Sequence, residues 1–203
     1  MKTEELINFL NLKVASLGMT AQIEPLSLAL INEAYVRFVS IMEGVSDQEE
    51  IDFSANEGEV AVPSYILKVK SAWNADGEKI EIVNRADTDS SVSETGTVEK
   101  LILGVKQGFA LIEAVPEEDQ TIYLDVDRLP KKSLNLSSSL SDVPAKYQMN
   151  VIDTVLSEML FMKGDPRAAE YETRFVAQAL DARRNKARLK SKPVRVVRYG
   201  GIL

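Results

Sequence analysis

Eight cationic side chains crowd into the last 22 residues with no acid among them: Arg183, Arg184, Lys186, Arg188, Lys190, Lys192, Arg195 and Arg198. Such a cluster can neutralise phosphates on a nucleic acid or meet an acidic surface on another protein. Asp87 and Asp89 resemble the start of a calcium loop. That loop needs glycine at its sixth position and glutamate at its twelfth, where this chain has Val92 and Val98. With no histidine and no cysteine, Ser-His and Cys-His nucleophile pairs are excluded. Imidazole and thiolate metal sites and a disulfide framework are excluded with them. A carboxylate pair or an Asp/Glu magnesium site remains open, but no spacing argues for one.

Outside the basic tail the balance reverses. The other 181 residues hold 16 basic and 31 acidic side chains, a balance of −15 within a chain whose total is −7. Asymmetry of this kind marks an interaction arm, or more simply the solvated end of a surface helix. A chain of 203 residues is the length of one domain, with room for an inserted subdomain. Its 45% apolar share is enough for a core, and its 27% charged share argues against global disorder. No apolar run approaches a membrane span. The opening Met-Lys-Thr-Glu-Glu lacks a signal-peptide core, which fits folding in the cytoplasm.

The elements that would carry these groups follow from periodicity. A first helix is expected over residues 3–17, capped by Thr3, with Leu6, Phe9, Leu10, Val14 and Leu17 on one face. A second begins near Pro25 and carries Leu28, Ile31, Tyr35, Phe38 and Met42 up to Gly44. From Glu50 to Leu129 the period becomes alternating, and six or seven short antiparallel strands are expected, with a hairpin-type turn at Asp76-Gly77. The polar stretch between Arg85 and Gly96 reads as a loop.

A third helix opens after Pro144, capped by Ser141 or Asp142, with Tyr147, Val151, Ile152, Val155, Met159 and Leu160 on its apolar face and Phe161 and Met162 widening it. Gly164 ends it, Asp165 caps the next helix and Pro166 opens it. So short a link turns the two helices antiparallel. The fourth helix packs through Ala168, Tyr171, Phe175, Ala179 and Ala182. Pro193 cannot continue it. Val194, Arg195, Val196, Val197 and Arg198 then read as an extended strand before Gly200-Gly201.

The order of these pieces resembles the head–tail adaptor (connector or neck) proteins of tailed bacteriophages. The resemblance rests on two N-terminal helices with Asn32 and Ala34, a β insertion with a short strand from Gly58 to Pro63, a strand over residues 109–116, a second over 121–126 followed by Pro130, and the hairpin around Gly164, Asp165, Pro166, Ala169 and Tyr171. It covers most of residues 1–189. The 86–97 loop and residues 131–141 depart from the pattern.

The fold expected is α+β. An antiparallel bundle of about four helices carries an inserted small antiparallel β domain and an extended C-terminal arm. The expected parts are N-terminal helices over 1–48, a β region over 49–130, a C-terminal helical hairpin of the same core over 131–190, and an arm over 191–203. The resemblance implies a structural virion protein with no cofactor and no catalysis. It implies a ring, typically of twelve copies, below the portal, a stopper, nozzle or tail protein on its distal face, and DNA passing through the centre. It places the protein in the virion neck, after synthesis in the bacterial cytoplasm. It implies portal docking by the arm, here Lys190, Lys192, Val194, Arg195, Val196, Val197, Arg198, Tyr199, Ile202 and Leu203, with Gly164, Asp165, Pro166, Tyr171 and Phe175 as hairpin scaffold. The acidic body also fits a channel wall that does not grip DNA. The alternative is a nucleic-acid-binding protein that uses the basic tail, in which only Tyr199 is able to stack on a base.

Overall fold

A computed structural model describes residues 1–19, 24–84, 94–96, 98–104 and 108–190. The arm over 191–203 and most of the polar 85–97 stretch lie outside the described residues. The chain divides into two compact units, one of residues 1–42 with 134–203 and the other of residues 43–133.

The first unit is helical. It comprises α1 (Thr3–Ser16), α2 (Glu24–Ile41), a 3-10 helix (Ala145–Val151), α3 (Ile152–Phe161) and α4 (Ala168–Lys190). The apolar stripes become its core: Leu6 and Leu10 from α1, Ile31 and Phe38 from α2, Val155 and Leu160 from α3, and Phe175 and Ala179 from α4 are all buried. Phe38 takes the edge of the Phe175 ring at 5.6 Å between centroids, the geometry that the ring quadrupoles favour.

Two expected helix starts are different. Lys2, not Thr3, is the N-cap of α1. The Lys2 amide donates to the Glu5 carboxylate (2.9 Å). Thr3 is buried, and its hydroxyl donates to the Ser138 carbonyl instead (3.0 Å). The third helix opens as a tight 3-10 segment with no side-chain cap. Its buried Gln148 explains the local geometry. The side-chain amide donates to the Leu140 and Val143 carbonyls, and the N-terminal ammonium of Met1 donates to its oxygen. One glutamine thereby ties the start of the chain to the turn that precedes α3.

The second unit is a curled seven-stranded sheet. Its strands are β1 (Val45–Phe53), β2 (Glu59–Ala61), β3 (Ile66–Trp73), β4 (Lys79–Asn84), β6 (Lys100–Leu103), β7 (Phe109–Ile112) and β9 (Gln120–Arg128), in the order β1-β9-β3-β4-β6-β7-β2. Alternate residues face a common core of Ile51, Phe53, Ala72, Ile80, Leu101, Ile112, Ile122, Leu124 and Val126.

The sheet is antiparallel except between β4 and β6, where Glu81 to Asn84 run parallel to Lys100 to Leu103. A parallel neighbour requires a crossover of a dozen or more residues, and the stretch between Asn84 and Lys100 is long enough to supply one. That stretch is not loop throughout. Short β5 (Glu94–Thr95) pairs parallel with β8 (Ala114–Val115).

The first strand also starts earlier than alternation of apolar residues shows. Residues 45–50 extend it by pairing with β9 from Val45↔Arg128 onward. Here the inward positions hold Asp47 and Glu49, so the alternation is present but written in charge.

Candidate docking surface

The hairpin turn follows from three residues. Gly164 adopts φ 69°, a conformation that favours glycine. This lets the Asp165 amide reach back to the Leu160 carbonyl at 3.0 Å and close α3. The Asp165 carboxylate then accepts from the Arg167 amide (2.9 Å) and from its guanidinium (2.6 and 3.0 Å). Those bonds hold the Asp165 carboxyl down to about 2. Pro166 lies between them, and α4 begins at Ala168, whose amide donates to the Asp165 carbonyl.

Past the turn, the scaffold residues lock the hairpin to its neighbours. Tyr171 is half-buried beneath the Arg174 guanidinium, 4.5 Å above its ring. Arg174 also grips buried Asp153 of α3 through two nitrogens (2.7 and 2.8 Å). Phe175 is fully buried, with the Arg37 guanidinium of α2 5.3 Å from its ring. Arg37 pairs with Glu172 and donates to the Thr154 hydroxyl at 2.6 Å. These contacts join α2, α3 and α4 at one level, so the hairpin tip has a fixed shape.

Beside that level lies an open groove of about 740 Å³. Leu26 and Leu30 of α2, Met159 of α3, Phe161 and Met162 at its end, and Ala168 and Ala169 of α4 line it. Phe161 and Met162 are 77% and 73% exposed. They do not widen the core face, as helical spacing predicts. The helix stops at Phe161, and the two side chains project past the packed stripe.

Glu158 and Glu172 flank the apolar floor. Burial, reinforced by nearby Glu33 and Glu172, pushes the Glu158 carboxyl up. An apolar groove rimmed by polar groups is a candidate docking surface. Nothing in the stripe pattern of α3 alone distinguishes it from core.

The β unit carries a second concentration of charge, at the end of β1. Arg128 donates to Asp47 at 2.6 Å, Lys131 sits 2.6 Å from Glu49, and the Tyr65 hydroxyl donates to Glu49 at 3.2 Å. The bond from Arg128 holds the Asp47 carboxyl below its ordinary range, and the bond to Glu49 holds the Lys131 ammonium above its own. Two carboxylates on one face invite an acid–base reading. Each already has a cation as its partner, and the arrangement is that of a staple between β1, β9 and the segment after it.

Among the described residues, no group of three or more His, Cys, Asp or Glu side chains is placed to hold a metal ion. No described helix is long and apolar enough to cross a membrane.

The family model described as SU10 adaptor protein matches residues 5–197. The chain belongs to this family. SU10 adaptor proteins are head–tail adaptors of tailed phages, so the protein is a structural component of a virion, joining capsid to tail. Its role is structural and not enzymatic. The match runs through both units and through the hairpin on which the resemblance was drawn. No curated protein matches the chain. Of the expected docking residues, Lys190 is the last of α4, and the others fall outside the described residues.

Proposed function

We propose that this adaptor assembles as a ring, of twelve copies, in the virion neck. It seats below the portal, continues the DNA channel and offers its distal face to a stopper, nozzle or tail protein. The observation that carries this is the family match over almost the whole chain. The chain is made in the host cytoplasm, and DNA passes through the ring during packaging and ejection.

In this reading the arm over 191–203 docks the portal. Its thirteen residues reach roughly 40 Å when extended. Its valines favour a strand able to add to a sheet edge, with Arg195 and Arg198 providing charge.

The distribution of charge supports a channel that lets DNA slide. Residues 43–133 hold 20 acidic and 9 basic side chains, and the helical unit holds 11 acidic and 15 basic. The acidic excess therefore belongs to the β unit, which is a poor surface for phosphate.

Negative-stain microscopy of the protein mixed with its portal tests the assembly. Rings seated on portal are expected, and a protein that stays monomeric with portal present overturns the proposal. Deletion of residues 191–203 is expected to abolish portal docking and leave the body folded. Tight, salt-sensitive DNA binding that vanishes with the same deletion favours the nucleic-acid alternative instead.

A further inference from the structure

We infer that the groove beside the hairpin tip receives the valine stretch of the C-terminal arm, Val194, Val196 and Val197, from a second copy of this chain. This rests on residues 191–203 being a docking arm. The groove offers apolar side chains from three helices with an acidic rim. Among the described residues the Glu158 carboxylate makes no hydrogen bond or ion pair, and the C-terminal end of α3, also at the rim, carries the negative end of a helix dipole. The complementary ligand is an extended segment with small apolar side chains, interspersed arginines and no acid. The sequence Val194-Arg195-Val196-Val197-Arg198 has that composition.

Distance decides which copy supplies it. The groove lies at the start of α4, at Ala168, Ala169 and Glu172, and the arm leaves from Lys190 at the other end. At 1.5 Å per residue, Lys190 is about 27 Å from Glu172 and about 33 Å from Ala168 along the helix. Residue 197 is seven steps beyond Lys190 and reaches at most about 25 Å from it. A subunit's own valines therefore fall short of its own groove.

A contact between an arm and a groove joins two different surfaces. Repeated from copy to copy it propagates head to tail, as a closed ring or an open chain. The same valines are the stretch offered to the portal, so seating in a neighbour's groove is the state of the arm before portal is met, and Tyr199 to Leu203, beyond the seated stretch, make the first portal contact.

The test uses full-length protein with a photo-crosslinking amino acid at position 196, mixed as isotopically heavy and light copies, with and without portal. Cross-links from position 196 to Met159, Phe161 or Met162 in mixed heavy–light pairs are expected. Cross-links within one copy, cross-links to other surfaces, or none in either condition overturn the inference. In parallel, a labelled peptide of residues 190–203 is titrated onto the full chain by fluorescence anisotropy. Saturable binding is expected, at least tenfold weaker with Phe161→Asp/Met162→Asp and with Glu158→Lys, and lost for a Val194→Asp/Val196→Asp peptide. Circular dichroism checks that the exposed substitutions leave the fold intact. Binding that ignores the groove variants, or no binding, overturns the inference.

Portal pull-down separates the two proposals. If the peptide fails to bind but deletion of 191–203 still abolishes portal capture, the groove inference fails alone. If the full chain never captures portal, the adaptor assembly fails, whatever the peptide does.

Discussion

The helical unit and the β unit place their charged pairs differently. In the helical unit the pairs Arg37–Glu172 and Arg174–Asp153 lie beside apolar core levels, each with its guanidinium over an aromatic ring, and Asp153 is buried. In the β unit the inward face itself changes from Ile51 and Phe53 to Glu49 and Asp47, and Arg128 and Lys131 compensate it. The first arrangement keeps its stability in packing. In the second the charges stand on the inward face of a strand, so loss of a cation leaves the desolvated Glu49 carboxylate within the sheet unit's own inward row. Trp73, the only tryptophan, lies on β3, so its emission reports on the β unit while far-UV circular dichroism weights the helices.

Phe175→Ala should break the comparison most strongly. It removes a fully buried ring that packs on Phe38 and is expected to cost about 3–5 kcal/mol. Urea unfolding should show the helical signal lost at lower denaturant, with the Trp73 transition shifted less. Equal shifts in both probes would show that the two units unfold as one.

Arg128→Ala should do the converse. It strips Asp47 of its 2.6 Å partner, with an expected loss of about 2 kcal/mol, below that of a fully buried pair because solvent reaches Asp47 and Lys131 remains. The Trp73 transition should move first. The same staple has a pH signature. The folded Asp47 carboxyl lies below its unfolded value, so its contribution is full above the ordinary carboxylate range and fades as pH falls through the depressed folded value. Trp73-monitored stability should therefore decline on acidification, with a shallower slope in Asp47→Asn.

Gly44→Ala should be of similar size, about 1–3 kcal/mol. Gly44 has φ 73°, and an added Cβ would stand 2.8 Å from the Arg128 carbonyl oxygen and 2.9 Å from its nitrogen. Both are backbone atoms of a paired strand, so neither yields as a side chain would. Asp165→Ala is the mildest, the loss of a cap at a solvent-facing turn, and should lower the helical midpoint alone. A comparable drop in the Trp73 transition would contradict the separation of the units.

How far each region is legible in sequence follows the same division. The stripes of α1, α2 and α4 and the turn at Gly164 and Asp165 are set by neighbours three or four residues apart, and periodicity finds them. The 3-10 start at Ala145 escapes it, because the bonds of Gln148 to Met1, Leu140 and Val143 are tertiary. The start of β1 escapes it because alternation is sought in apolar residues, and Asp47 and Glu49 are inward only by virtue of cations some eighty residues later. Phe161 and Met162 read as core because spacing locates a side chain on a helix and not relative to where that helix stops.

The sequence by itself determined the helical periods, the glycine turn, the concentration of positive charge in the tail and the order of pieces that marks a head–tail adaptor. All of these are written in residue types at short separations. Only the tertiary structure decided the groove and the charged staple, along with the parallel pairing of β4 with β6. Each requires groups far apart in the chain to meet. Leu26 and Met162 line one groove, Asp47 meets Arg128, and Glu81 lies against Lys100. Local propensity carries no term for such meetings, which packing and charge compensation select.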